Sequence, residues 1–286
     1  MLFLRVGGAA LIFAGILSLQ GRRALPKSRR DGIELLLFGV LGIALMNLAM
    51  INGQDMIPAA LASLIVTSNP VFTALVSRFL TGEPLTRRKI GGIALAFAGF
   101  LIVLFYGSGS DAQLDADQVK GILIVAIAPF SWAFYTVLTR PYLNRYDATN
   151  VAGYTAIGGF IGALPALLLV GGTADRLRDV TATGWALGFY LSAFGFVVAY
   201  VLWYRALRVL TASQTAVYIY LVPVFGILCA WLFLDEQITG YLLLGGATIL
   251  AGVVLTNSGR AAPVSTPEPI SSAPPLFPDG ARAQGD

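Results

Sequence analysis

The chain has 286 residues, of which 57% are hydrophobic and 12% are charged, and its mean hydropathy is +0.77. This composition is far from that of a soluble globular domain. With no histidine and a single cysteine, Cys229, the sequence excludes histidine catalysis and a disulfide framework. It predicts no metal site and no cofactor.

Apolar runs of about 20 residues, the length that crosses a hydrocarbon core of ~30 Å, follow one another along the chain. They cover residues 2–20, 33–52, 57–80, 89–106, 119–139, 149–170, 184–204, 211–234 and 240–257. In lipid the backbone must satisfy its own hydrogen bonds, and period-2 alternation is absent, so we predict an all-α polytopic membrane protein. The tail, 258–286, is rich in Pro, Ala and Ser and is predicted to be disordered.

Lysine and arginine divide unequally between the two sets of loops. The first, third, fifth and seventh loops together with the tail hold fourteen of them, and the opposite set holds three. Cytoplasmic loops carry the excess of positive charge, so we predict a multi-pass protein of the bacterial cytoplasmic (inner) membrane with a cytoplasmic C-terminus. Membrane topology accounts for the net charge of +4, and we predict no nucleic-acid partner.

One phrase occurs twice in the chain. Residues 68–86 read SNPVFTALVSRFLTGEPLT and residues 221–239 read LVPVFGILCAWLFLDEQIT, and a shift of 153 positions aligns them. The alignment continues without a gap from residue 42 to residue 99. The two copies run in opposite senses across the membrane, which is the inverted repeat of secondary transporters.

The same shift leaves the helix at 121–140 without a counterpart, because its mate would precede Met1. We therefore predict an inverted repeat of two five-helix units, with nine helices present and the first helix of the first repeat missing. The first repeat covers 1–106 and the second 119–257. The alternative is a native protein of nine helices.

The repeat ends resemble a known family. They read SNPVFTALVSRFLTGEPLTRRKIGGIALAFAGFLIVL and YLVPVFGILCAWLFLDEQITGYLLLGGATILAGVVL, and LRVGGAALIF near the start is similar to the family's second helix, with Arg5 at its usual arginine position. These stretches resemble the drug/metabolite transporter superfamily, specifically its EamA-type bacterial members. The resemblance implies ten helices, cytoplasmic termini and a substrate path between the repeats. This chain departs from the pattern by the absent first helix and by Asp235 and Gln237, which replace Gly82 and Pro84 of the first repeat.

Polar and aromatic side chains within the apolar helices recur at matching places in both repeats, which predicts a central substrate cavity. The predicted substrate-binding residues are Asn47, Ser63, Thr67, Trp132, Tyr135, Tyr200, Gln214, Tyr218 and Tyr220. Taken singly, each could instead be a helix–helix hydrogen bond or an interfacial anchor.

Three further pairs of positions recur in the repeats. Pro70 and Pro223 are predicted mid-helix kinks that free carbonyls towards the cavity, although a merely tolerated kink is the equal alternative. Both helix links contain a glutamate followed three residues later by a threonine. The predicted structural caps are Glu83, Thr86, Glu236 and Thr239, in preference to a role of the glutamates in proton coupling.

The sequence predicts a secondary transporter, an exporter of small organic metabolites such as amino acids, that works by alternating access; the export direction follows from the resemblance alone. A primary pump would need a phosphate-binding loop, and an enzyme would need clustered acids, an activated nucleophile or metal ligands. The sequence has no such motif, and a channel filter motif is also absent. The alternative is a truncated, non-transporting membrane relic or interaction partner. A homodimer is compatible with either.

Overall fold

The computed structural model describes residues 2–57, 62, 65–108, 116–169, 180–222, 224–225, 232 and 240–258. Every regular element in these ranges is helical, with no strand among them, which confirms the prediction of an all-α polytopic membrane protein. Four helical spans there are long and apolar enough to cross a membrane, namely Leu4–Arg23, Arg29–Gln54, Val119–Asn144 and Ala182–Val209.

The helices are numbered in chain order. They are α1 (Leu2–Gln20), α2 (Arg29–Gly39), α3 (Met46–Gln54), α4 (Asn69–Thr81), α5 (Arg87–Ser108), α6 (Ala116–Thr139), α7 (Ala148–Leu169), α8 (Ala182–Ser192), α9 (Ala199–Val209), α10 (Ala212–Ala216) and α11 (Gly240–Asn257). A first π segment, Val40–Leu45, joins α2 to α3, and a second π segment, Ala193–Val198, joins α8 to α9. Short 3-10 turns at Arg140–Asn144 and Val217–Tyr220 follow α6 and α10.

Several helix boundaries differ from the sequence prediction. The second helix begins at Arg29 rather than at residue 33, because Ser28 caps it and accepts the N–H of Arg30 at 3.2 Å. The apolar run 57–80 is not one helix within the described residues. Its backbone is helical at 65–67, turns at Ser68 and becomes helical again at Asn69.

The two halves of the chain carry the same elements at a constant spacing. The elements α2, the first π segment, α3 and α5 begin at Arg29, Val40, Met46 and Arg87, and their counterparts begin at Ala182, Ala193, Ala199 and Gly240. Each pair is 153 residues apart. π segments are rare and often lie at functional sites, so their recurrence at matching positions marks the middle of both copies as specialised.

Helices α5 and α11 are counterparts, and they pack against each other along most of their length. Gly92 lies against Gly252, and Gly99 lies against Gly245. Ascending numbers in one helix meet descending numbers in the other, so the pair is antiparallel and related by a pseudo-two-fold axis. This is the packing of an inverted repeat.

A second core brings α1, α2, α6, α7 and α9 together. Its fully buried side chains include Phe13, Leu35, Tyr135, Val151 and Tyr204. Helix α6 belongs to the second predicted repeat. It packs against α3, α4 and the first π segment, which belong to the first repeat.

Loops that the charge pattern assigns to the cytoplasm meet at one end of the bundle. The N–H of Lys27 donates to Tyr146 Oη at 2.9 Å, and Arg208 Nη2 donates to the carbonyl of Tyr146 at 2.7 Å. Arg140 Nε donates to the carbonyls of Leu207 and Leu210 at 3.4 and 3.3 Å. Three loops that share an excess of positive charge therefore lie at the same end of the bundle, which we call the loop end. Which side of the membrane this end faces stays a prediction.

Candidate functional site

An aromatic wall, defined as Trp132, Phe196, Tyr200 and Trp203, lies where α6 meets the second π segment and α9. The ring centroid of Trp132 is 5.6 Å from that of Tyr200 and 5.5 Å from that of Trp203. Phe196 stacks on Tyr200, with centroids 4.2 Å apart and planes inclined by 12°. Each such pair stabilises the packing by about 0.5–1.5 kcal/mol beyond area burial, so the wall is held in place by its own contacts.

A hydrogen-bonded row of hydroxyl groups lies behind the wall. Tyr135, whose ring is 5.2 Å from that of Trp132, shares a hydrogen bond of 3.1 Å with Thr155 Oγ1. Thr155 shares a second one of 3.3 Å with Tyr204 Oη. Both tyrosines are fully buried. Because the hydroxyls satisfy one another, they position α6, α7 and α9 together and are less free to bind a ligand.

Arg5 and Asn47 extend the site from the first predicted repeat. Arg5 Nη2 donates to Asn47 Oδ1 at 3.3 Å, and Asn47 Nδ2 donates to the carbonyl of Ile43 in the first π segment at 2.7 Å. The guanidinium carbon of Arg5 lies 6.0 Å from the ring centroid of Phe196, within cation–π range. Successive contacts therefore connect Asn47, through Arg5, to the aromatic wall.

Three buried N–H donors at this site have no hydrogen-bond partner in the part of the chain that the structure describes. They are Arg5 Nε, Trp132 Nε1 and Trp203 Nε1. A buried donor without a partner costs about 1–3 kcal/mol, so such groups are uncommon in a packed core and are typical of a place where a ligand or water binds.

Sequence reasoning did not assign Arg5 to the site. The signal that could have found it is its location inside the apolar span Leu4–Arg23, because a charge in the membrane is costly and by default functional. Trp203 and Phe196 were also missed. Aromatic residues are common in membrane helices, and only the packing of the helices distinguishes those at a binding site from those that anchor a helix at the membrane interface.

Of the nine predicted substrate-binding residues, the structure brings four together, namely Asn47, Trp132, Tyr135 and Tyr200. Thr67 is buried just before the turn at Ser68, and Ser63 lies outside the described residues.

The predicted residues of the 211–220 region lie elsewhere. Gln214 completes a capping box with Thr211, in which Gln214 Oε1 accepts the Thr211 N–H at 3.2 Å and Thr211 Oγ1 accepts the Gln214 N–H at 3.3 Å. Tyr218 is 41% exposed. Tyr220 is fully buried in the α5–α11 core, with its ring centroid 6.4 Å from that of Phe97. Among the described residues its hydroxyl has no hydrogen-bond partner. Gln214 and Tyr218, four residues apart, would share one face of a continuous α-helix, but the chain forms a 3-10 turn at Val217–Tyr220, and Gln214 is buried while Tyr218 is exposed.

The structure describes Pro70, Glu83 and Thr86 among the predicted kink and cap residues. Pro70 lies in the first turn of α4 rather than in the middle of a helix, and a missing N–H is tolerated there; the break in the helical path precedes it, at Ser68. Thr86 Oγ1 accepts the N–H of Lys89 at 3.3 Å, as an N-cap does. Pro223, Glu236 and Thr239 lie outside the described residues.

Glu83 contacts side chains rather than the backbone N–H that a cap would bind. Its carboxylate accepts a hydrogen bond from Ser77 Oγ and pairs with Lys89 Nζ at 2.8 Å, and Lys89 Nζ reaches Thr211 Oγ1 of the second predicted repeat at 3.5 Å. Burial opposes ionisation of Glu83, but the hydrogen bonds from Lys89, Ser77 and Thr211 and the charge of Lys89 outweigh it, so its pKa is lowered. The pair joins the two repeats at the loop end of the bundle.

A groove of about 550 Å³ lies between the first π segment and α6, and its lining is almost wholly apolar. It is lined by Leu41, Leu45, Leu123, Ala126, Ile127, Phe130, Ser131 and Phe134. Within the described ranges, no three Cys, Asp or Glu side chains lie close enough to hold a metal ion. The buried N–H donors without a partner among the described residues lie outside this groove, at Arg5, Trp132 and Trp203.

Comparisons with known proteins agree with this architecture. The family model of the "EamA-like transporter family" matches residues 1–105 and 119–258. A protein of Archaeoglobus fulgidus named "Uncharacterized transporter" is 32% identical over 238 residues, which are 83% of this chain and 80% of that protein. A protein of Streptantibioticus cattleyicolor named "Probable terminal-alkyne amino-acid exporter" is 33% identical over 270 residues, 92% of this chain and 86% of that protein.

One solved crystal structure has the same fold. It superposes with a TM-score of 0.73 at 22% identity and covers 90% of this chain and 85% of that one. Together with the family match over both repeats, this likeness confirms the resemblance that the repeat ends carry. The chain is a multi-pass membrane transporter rather than an enzyme, and it belongs to the EamA-like transporter family, of the drug/metabolite transporter type.

Proposed function

We propose that this protein is a secondary transporter that exports small organic metabolites, such as amino acids, through a site between its two repeats. The observation that carries the proposal is the buried constellation of Arg5 and Asn47 from the first repeat with Trp132, Phe196 and Tyr200 from the second. Secondary transporters bind substrate at such a repeat interface. The name of the Streptantibioticus relative supports an amino-acid substrate.

Alternating access requires that one repeat rock against the other. The antiparallel α5–α11 contact, made through glycines near the pseudo-two-fold axis, is suited to act as the pivot. At the loop end, Lys89 contacts Thr211, and the N–H of Lys27 donates to Tyr146 Oη, so both contacts join the first repeat to the second. Opening this end would break these contacts, so we assign them to the closed state of the loop side.

The loop end is proposed to face the cytoplasm of a bacterial cell, with the C-terminus on the same side. The supporting observation is the gathering of the Lys- and Arg-rich loops at one end of the bundle. Substrate from the cytoplasm would enter the site when the contact of Lys89 with Thr211 and that of Lys27 with Tyr146 open.

The test is export from proteoliposomes. Vesicles containing the purified full chain are loaded with a mixture of radiolabelled L-leucine, L-phenylalanine and L-threonine, and the loss of label is followed against protein-free vesicles. We expect protein-dependent efflux of at least one amino acid, reduced in Trp132→Ala and unchanged in Trp185→Ala, whose side chain is half exposed. Equal leakage with and without protein, for a folded sample, would favour the alternative of a non-transporting membrane protein.

A further inference from the structure

Arg5 is a cation inside an apolar span that has no carboxylate to neutralise it. It lies in the span Leu4–Arg23, and among the described residues no acidic side chain is within ion-pair distance of its guanidinium. The ion pairs that the structure describes lie at the loop end instead, for example Glu83 with Lys89. Charges within membrane helices are retained where they pair with something or serve a pathway, so the absence of an internal partner points to an external one.

The unpaired hydrogen-bonding groups at this site are donors, so they favour a ligand with acceptor atoms, as the positive charge of Arg5 does. The unpaired buried groups next to Asn47 and in the aromatic wall are N–H donors, namely Arg5 Nε, Trp132 Nε1 and Trp203 Nε1. The acceptor of Asn47 is already used, because its Oδ1 accepts from Arg5. A ligand that satisfies this surplus of donors must bring acceptors, and an anionic oxygen pair matches the planar fork of a guanidinium best.

The aromatic wall defines the rest of the ligand. The guanidinium of Arg5 lies over Phe196, Phe196 stacks on Tyr200, and Tyr200 meets Trp132 edge to face. A group held at Arg5 would therefore lie beside apolar ring surface. Burying an aliphatic or aromatic body against these rings is favourable, and an α-ammonium can lie over a ring face, whereas a second anionic group there would be desolvated without a partner.

We propose that Arg5 is a substrate-binding residue that holds the carboxylate of a small amphipathic acid, while the body of the acid packs on Phe196 and Tyr200. The substrate class is thus the monocarboxylates that carry an aliphatic or aromatic group, apolar amino acids among them. The inference rests on the proposed transport function, because it names the substrate class of the same site. Asn47 positions the guanidinium through its 3.3 Å hydrogen bond.

The test measures binding separately from transport. The full chain in lipid nanodiscs is titrated with L-phenylalanine, L-leucine and phenylacetate, each beside its carboxamide, and the shift in unfolding temperature gives the affinity. We expect at least one acid to bind and its amide to bind at least about tenfold more weakly, since a charge-assisted hydrogen bond contributes more than ~1.4 kcal/mol, a factor of ten.

The variants separate a binding role from a packing role. Arg5→Gln should lower affinity for the acid at least about tenfold, while affinity for the neutral amide, phenylacetamide, stays constant. The affinity of Arg5→Lys for the acid should lie between those of the wild type and Arg5→Gln, because lysine keeps the positive charge but lacks the planar pair of N–H donors of a guanidinium. Arg22→Gln removes an exposed arginine after the same helix and should bind like the wild type. The unfolding temperature of each ligand-free variant shows whether it is folded.

Three results would overturn the carboxylate site: amides that bind as well as acids, acids that bind Arg5→Gln unchanged, or no binding by any of the three acids. Failure of the transport proposal looks different. Acid binding that depends on Arg5 but is accompanied by no flux in proteoliposomes would leave the site standing and overturn transport. Flux of amides that is unaffected by Arg5→Gln would support transport and overturn the carboxylate site.

Discussion

Gly92 and Gly252 meet backbone to backbone across the two repeats. A Cβ added at Gly92 would lie 2.7 Å from the carbonyl oxygen of Gly252, and a Cβ added at Gly252 would lie 2.6 Å from the carbonyl oxygen of Gly92. The same approach recurs between Gly99 and Gly245, which are the counterparts of Gly252 and Gly92 at the spacing of 153 residues, as a two-fold axis between the repeats requires. Small residues allow this approach in lipid, where close van der Waals packing replaces the hydrophobic effect between helices.

Gly92→Ala should destabilise the protein, because the added Cβ meets backbone atoms of α11 that cannot move aside. We expect a loss of about 1–3 kcal/mol, seen as a lower unfolding temperature in nanodiscs. Gly91→Ala is the matched control, since its Cβ would meet only Leu255 Cδ2 at 3.9 Å. Equal stability of the two variants would mean that α5 and α11 do not pack this closely.

Trp132→Ala should weaken apparent substrate affinity by about tenfold in a transport assay, because it removes both ring contacts and a free N–H from the aromatic wall. Trp132→Phe keeps most of the packing and should lose less. Gln113→Ala, in a loop predicted to be exposed, should have no effect. Wild-type affinity in Trp132→Ala at matched abundance would move the substrate site elsewhere.

Tyr220→Phe should leave transport and stability close to those of the wild type. The hydroxyl of Tyr220 is buried without a partner, so removing it costs no hydrogen bond and relieves its desolvation. Transport rates and the unfolding temperature are the measurements. A marked loss of affinity would return Tyr220 to the substrate site, where the sequence had placed it.

Glu83→Gln should destabilise the protein at neutral pH by about 3–5 kcal/mol, because it leaves the Lys89 ammonium, on a side chain only 11% exposed, without its counter-charge. The pKa of Glu83 is lowered in the folded state, so its stabilising contribution is present above the ordinary glutamate pKa and is lost as pH falls through the folded value. Unfolding temperature against pH should therefore decline in acid for the wild type and less so for the variant.

The control for that experiment is Asp147→Asn, which breaks the exposed contact with Arg208 at 3.5 Å and should change stability by less than about 1 kcal/mol. Replacing both partners, as in Glu83→Gln with Lys89→Met, should recover most of the loss. If Glu83→Gln instead keeps its stability and abolishes the pH dependence of transport, the carboxylate carries coupling protons.

Thiol labelling tests the topology. In a Cys229→Ala background, Arg22→Cys should react with a membrane-impermeant reagent only after the cells are permeabilised, because residue 22 lies at the basic loop end. Asp55→Cys, which follows the far end of the span Arg29–Gln54, should react in intact cells. The reverse pattern would invert the proposed orientation.

The sequence by itself determined the membrane class, the all-helical fold and the repeat. Apolar runs of spanning length leave a backbone in lipid no alternative to the helix, and a shift of 153 residues aligns Pro70 with Pro223 before any coordinates are known. The elements at Arg29 and Ala182 then begin at that same spacing, because the same local pattern folds the same way twice.

Only the tertiary structure decided which polar residues share a site. Periodicity assigns a side chain to a face of its own helix, but the partner of that face depends on packing between distant segments. Thus Gln214 and Tyr220 were both predicted to bind substrate, yet one completes a cap and the other lies in the α5–α11 core. Arg5 and Phe196 are 191 positions apart in the chain, and packing of α1 on the second π segment brings them within 6.0 Å.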